Sequence, residues 1–269
     1  MALELNSKRE TYKVFPKEGT APNTKQMPKL IADSRVPANT AQLMQRRLDV
    51  RNDEDLTSSY MDNYFDTGDA IVCHPDGRVK VVLDSQDLRD MTPTTPINRG
   101  ALIITPEAYR TLQGEEFKKG NFGKTGEWMS REDVKAHPIW KALARGQGLL
   151  NDYTDFIFAE GKQRFGYDKA MGIYTTSANG DTLEMRAWCV CRLENRSLAD
   201  GWDYLDNDGG RFLGIAPEAQ GAIGKGVGGV KAYTMNDLQE AEKQLDNLSQ
   251  VVKSESLEKV RSLVGKLQF

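Results

Sequence analysis

Several sets of residues have the types and spacing to do chemistry. Cys189 and Cys191 stand two apart, so on a strand both thiols point to one face, and Cys73-His74 adds a thiol and an imidazole elsewhere. Three thiolates and one imidazole would suit tetrahedral zinc. The spacing argues against it. C-x-C on a strand is not the C-x2-C of a zinc knuckle, and Cys73 and His74 would face opposite sides of theirs. Cysteine is among the most buried residue types, so buried thiols with no metal and no cofactor are the expectation.

A second set is acidic. Asp203, Asp206 and Asp208 run up to Gly209-Gly210 in the stretch GWDYLDNDGGRF. Closely spaced carboxylates can ligate calcium or magnesium, but the EF-hand pattern fails, with Tyr204 at its first ligand position and Ile215 at its twelfth. A solvated turn is the simpler reading. Trp202, Tyr204 and Arg211 flank it, and aromatic and arginine side chains dominate interface anchors. Trp202, Asp203, Asp206, Asp208 and Arg211 are therefore the candidate binding residues.

Gly224-Lys225-Gly226-Val227-Gly228-Gly229 matches G-x-G-x-x-G by letter. A pyrophosphate site also needs a strand before the loop and a helix opening inside it, so that backbone N–H groups meet the phosphates. Here the next helical pattern starts only near Thr234, and Walker A fails at Ala219 and Gly226. A flexible linker is expected. His74 and His137 are the only histidines, and His137 directly precedes Pro138, so no nucleophile–base pair and no catalytic residue can be named.

Arg186, Trp188 and Arg192 form the last set. On a strand they share one face, and a stacking indole between two guanidinium groups is a possible platform for single-stranded nucleic acid. Glu184 on the same face and the net charge of −3 weigh against it.

The element that must position these groups is the alternating run from Leu183 to Leu193. One face carries Leu183, Met185, Ala187, Cys189, Cys191 and Leu193, the other Glu184, Arg186, Trp188, Val190 and Arg192, as in a half-buried strand. Asn179-Gly180 suits a type I′ turn, which predicts a hairpin pairing Tyr174 with Met185 and Met171 with Trp188. A second hairpin is predicted around Pro75-Asp76-Gly77.

Helix starts are predicted at Asn39-Thr40, at Thr105-Pro106-Glu107, and at Ser130 with Asp133 in capping-box spacing. Pro138 should end or restart the last of these, giving two or three consecutive helices over 130–164. Leu56, Tyr60, Met61, Tyr64 and Phe65 read as one helical stripe facing a core.

Residues 1–50 hold nine Lys/Arg against five Asp/Glu, so that end is locally basic, and residues 1–36 lack the apolar content to core themselves. The expected organisation is an extended or disordered basic arm at 1–36 and an α+β core of antiparallel hairpins and helices at 37–208. A glycine-rich linker at 209–233 and a helical hairpin or dimerising pair at 234–269 complete it. That pair rests on Leu238, Ala241, Leu245, Leu248 and Val252, then Leu257, Val260, Val264 and Leu267.

No apolar run approaches a membrane span, MALELNSKRE carries no signal-like apolar stretch, and three cysteines make no disulfide framework. A cytoplasmic protein is expected. Its expected function is non-enzymatic: self-association or binding of a protein partner. The alternatives are an enzyme or small-molecule or cation binder around 203–211, and single-strand nucleic-acid binding.

Overall fold

A computed structural model describes residues 11–118, 127–175, 178 and 180–216. In chain order they form β1 (Tyr12–Phe15), α1 (Asn23–Ala32), β2 (Val36–Pro37), α2 (Thr40–Asp49), α3 (Glu54–Met61), β3 (Phe65–Cys73), β4 (Val79–Val82), α4 (Gln86–Arg89), β5 (Ile97–Asn98), β6 (Ala101–Ile104), α5 (Pro106–Thr111) and β7 (Glu115–Phe117). There follow α6 (Arg131–Ala136), α7 (Pro138–Ala144), α8 (Gln147–Phe165), β8 (Ile173–Tyr174), β9 (Leu183–Val190), β10 (Ala199–Asp200) and β11 (Phe212–Ile215). The class is α+β, with eleven strands and eight helices among the described residues.

Local chemistry sets the helix starts. Asn39 accepts from the Gln42 N–H, and the Gln42 side chain accepts from the Asn39 N–H in return, a complete capping box. Thr105 caps α5 with Pro106 in its first turn, and Ser130 caps α6 by accepting from the Asp133 N–H. Pro138 opens α7, so 131–165 is three consecutive helices. The aromatic stripe divides: α3 ends at Met61, and Phe65 opens β3.

β3 and β9 run antiparallel through the middle of the sheet, with Ile71 opposite Arg186 and Val72 opposite Met185, and a bulge between Asp66 and Ala70. Along the sheet the order is β1-β11-β3-β9-β10-β8, with β4 added on β3 and β6 on β9. The alternation of β9 is real. Leu183, Met185 and Ala187 join Ala70, Val72 and the α1 residues Met27 and Leu30 in one core. Trp188 joins Ile71, Cys73, Trp140 and Tyr153 in another. Helices cover both faces, so β9 is fully buried rather than half-buried.

The hairpin around Pro75-Asp76-Gly77 is present, with Cys73 opposite Val79 and Ala70 opposite Val82. Asn179 lies outside the described residues, and the strand pairing expected of a hairpin at Asn179-Gly180 is not formed. β9 has β3, β6 and β10 as its neighbours, and Tyr174 pairs in parallel with Asp200 instead of Met185. One flank of β9 is occupied by β3 and the other by β6 and β10, which leaves β8 no place beside it.

Over its described part, 11–36, the expected arm is a strand and a helix. β1 pairs with β11 across the length of the chain, Tyr12 opposite Ile215, and Met27 and Leu30 are buried. The polar residues that made α1 look coreless, Asn23, Thr24 and Gln26, are themselves buried. Residues 212–215 of the expected linker are likewise a buried strand, which pairs in parallel with β3 at Phe212–Asp66. The remaining linker, 217–233, and the 234–269 helices lie outside the described residues. Among the described residues no helix is long and apolar enough to cross a membrane.

Candidate functional site

The segment after β10 turns sharply because the Asp200 carboxylate accepts from the Trp202 N–H at 2.8 Å. The turn throws Trp202 and Tyr204 outward, at 40% and 39% exposed. Trp202 stacks on Tyr174, with ring centroids 5.4 Å apart and planes 19° from parallel, and meets Tyr204 edge-on at 6.3 Å. Two exposed rings and the half-buried Tyr174 ring thus form one aromatic face. Large exposed apolar side chains grouped in this way mark interaction surfaces more often than isolated ones do.

The face has a rigid backing. The Arg186 guanidinium lies 4.9 Å from the Tyr204 ring centroid, donates to the Arg99 carbonyl at 2.8 Å and pairs with Glu184 at 3.3 Å. Leu205 N–H donates to the Gly100 carbonyl at 2.9 Å. Gly100 has φ +79°, and a Cβ there would sit 2.4 Å from the Tyr204 ring, so only glycine lets the ring lie flat on this backbone.

The acidic residues separate. Asp206 and Asp208 are exposed on the segment that follows Tyr204. Asp203 turns inward, and its carboxylate, the Cys189 thiol and the Asp66 carboxylate offer ligand atoms all within 4.8 Å of one another. Asp66 accepts from the Arg211 N–H at 2.8 Å, and burial, then the charge of Asp203, push its carboxyl well above the usual carboxylate range. The Cys189 thiol is raised by its hydrogen bond with Cys191, by burial and by the same carboxylates. Burial raises Asp200 to about 6.

Arg211 is a structural residue. It is buried over the Tyr64 ring, and its guanidinium donates to Asn63 Oδ1 and, at 3.0 Å, to the Gly19 carbonyl. The nucleic-acid face does not exist as an open platform. Trp188 is 0% exposed beneath helix residues such as Trp140 and Tyr153, Arg186 is 1% exposed beneath the Arg99 turn and the Trp202–Tyr204 loop, and Arg192 alone reaches solvent, paired with Glu194. Of the cysteines, Cys189 meets carboxylates and Cys73 lies buried near the far end of the central pairing, so the four-ligand Cys/His set does not assemble.

Tyr174, Asp66 and Asp200 were missed in the sequence. Asp66 and Asp69 interrupt an otherwise apolar strand, FDTGDAIVC, and polar residues at positions with no solvated face are the signal that could have marked them.

A cleft of about 570 Å³ lies elsewhere, between the β3–β4 turn and α5, lined by His74, Arg78, Lys80, Tyr109, Glu116 and Asp181. Its main polar groups satisfy one another. Arg78 pairs with Asp76 and Glu116, the Tyr109 hydroxyl donates to Glu116, and Lys80 donates to the Tyr109 and Leu112 carbonyls.

No family model and no curated protein matches the sequence. A solved structure does match in shape, one from Nanoarchaeota described as the C-type lectin fold accommodating massive sequence variation. Identity is 16%, the TM-score is 0.55, and the match covers 79% of this chain and all of the other. The chain has a C-type lectin-like fold.

Proposed function

We propose that this chain is a non-enzymatic binding protein whose recognition surface is the Tyr174, Trp202 and Tyr204 face, and whose ligand is a protein segment bearing basic side chains. The observation that carries this is the stacked, exposed aromatic group held on a rigid backing, because rigid aromatic anchors provide contact area at little entropic cost. The C-type lectin-like fold is a binding fold and supports the same reading. Asp206 and Asp208, on the segment that follows Tyr204, carry negative charge and set the expected sign of the partner.

The test is selection of peptides from a random display library on the full chain. Basic, sequence-related peptides should be enriched, and Trp202→Ala and Tyr204→Ala should weaken them by about tenfold or more. Enrichment indifferent to both substitutions contradicts the reading.

Self-association through 234–269 rests on the apolar spacing of those residues and is the proposal for that part of the chain. Truncation after residue 233 should convert an oligomer to a monomer in native mass spectrometry; an unchanged mass distribution would refute it.

A further inference from the structure

We propose that Asp66, Cys189 and Asp203 bind one divalent transition cation of the zinc class. Three elements converge here: Asp66 comes from β3, Cys189 from the neighbouring β9, and Asp203 from the loop after β10, with their ligand atoms within 4.8 Å of one another.

Proximity alone would not make a site. The second observation is a set of buried polar atoms with nothing to bond. Asp66 is 1% exposed, and while one of its oxygens accepts from Arg211 N–H, Oδ1 has no hydrogen-bond partner. Asn23 is 0% exposed, and neither its oxygen nor its nitrogen reaches a partner. Its carboxamide is nonetheless close enough to Asp66 to favour the ionised carboxyl. Gly210 makes room for it, since a Cβ at that position would lie 2.0 Å from Asn23 Oδ1. Buried polar groups are nearly always satisfied, and a cluster of orphans around two carboxylates calls for a shared partner.

A shared proton between Asp66 and Asp203 would also relieve their repulsion, and the metal titration below separates it from a bound cation. A cation would meet both carboxylates and the thiolate together. The thiol decides its class: calcium and magnesium take oxygen ligands, whereas zinc-like ions take sulfur, carboxylate and neutral donors in one sphere. Asp203 is only partly buried and gives the ion its way in. A bound ion would tie the loop carrying Trp202 and Tyr204 to both central strands. The inference does not depend on that loop being a recognition surface.

The test uses the full chain, kept reduced, stripped with a chelator and titrated with Zn²⁺ and with Co²⁺. One ion per chain is expected, and the cobalt form should show a thiolate-to-metal charge-transfer band. Cys189→Ser should abolish the band, and Asp203→Asn should weaken binding by about tenfold or more. Asp168→Asn, at an exposed carboxylate outside the cluster and outside the proposed binding face, should leave it unchanged. Asp203 is partly exposed, so its variant keeps the test valid if Cys189→Ser misfolds. Failure to bind a stoichiometric ion, or binding equal in wild type and Asp203→Asn, overturns the proposal.

Discussion

The indole of Trp202 lies on the ring of Tyr174, with centroids 5.4 Å apart and planes 19° from parallel, so the loop after β10 is clasped to β8 through side chains as well as backbone. Offset stacked rings contribute about 1 kcal/mol beyond the area they bury. A double-mutant cycle of Tyr174→Ala and Trp202→Ala, read by urea unfolding, should give a coupling near that value. Additive single effects would mean that the stack holds nothing.

Arg145 bridges two carboxylates, with Nη2 2.6 Å from Asp69 and Nη1 2.5 Å from Asp84. Asp69 is fully buried and also accepts from the Thr40 and Asp84 N–H groups, so the bridge joins α2, β3 and the end of α7. Removing one partner of a buried pair costs about 3–5 kcal/mol. Arg145→Ala should cost close to this in urea unfolding, and Arg145→Lys should recover only part, because one ammonium cannot reproduce the two-pronged contact.

That bridge also sets a pH dependence. Burial alone would raise Asp84, but the Arg145 hydrogen bond and charge outweigh it and hold the carboxyl below its ordinary value. A lowered folded-state pKa contributes stability above the unfolded value and loses it as pH falls through the folded one. Arg145→Ala should therefore flatten the acid limb of the stability curve. An acid limb of the same slope in the variant would show that the bridge does not set it.

Asp200 acts with the opposite sign. Burial raises it to about 6, aided by Asp203 and opposed by the Trp202 N–H and Arg186. Its contribution is complete below about pH 4 and is lost as pH rises through about 6. In chelator, Asp200→Asn should stabilise the protein at pH 7 by about 3 kcal/mol and remove the fall between pH 4 and 6. Asn keeps an acceptor for the Trp202 N–H. A variant less stable than wild type at pH 7 would contradict the assignment.

Gly100 combines φ +79° with direct contact between its backbone and the Tyr204 ring. Gly100→Ala should cost about 1–3 kcal/mol and displace Tyr204 from Arg186. Thermal unfolding measures the first effect and loss of peptide binding the second. An unchanged melting temperature would show that the ring has room to move.

What the sequence revealed follows from the range of each interaction. Asn39, Thr105 and Ser130 cap helices through residues three positions away, so their patterns were legible. The turn at Pro75-Asp76-Gly77 was local too. The Asn179-Gly180 signal was equally local, but the pairing it implied did not form, because β9 is flanked by β3 and β6, which lie far earlier in the sequence, and by β10. β1 looked like part of a tail because its partner, β11, lies some 200 residues on. In the candidate site, Trp202 and Asp203 were legible from their types. Their opposite orientations were not, nor was Asp66, which meets Asp203 only once β3 and the loop are assembled.

The most direct measurement is hydrogen–deuterium exchange of the full chain with and without a selected basic peptide. Protection should concentrate at 173–175 and 199–206, the backbone beneath Tyr174, Trp202 and Tyr204. Protection centred on 74–80 and 106–116 instead, around the cleft between the β3–β4 turn and α5, would contradict a recognition surface built on those three rings.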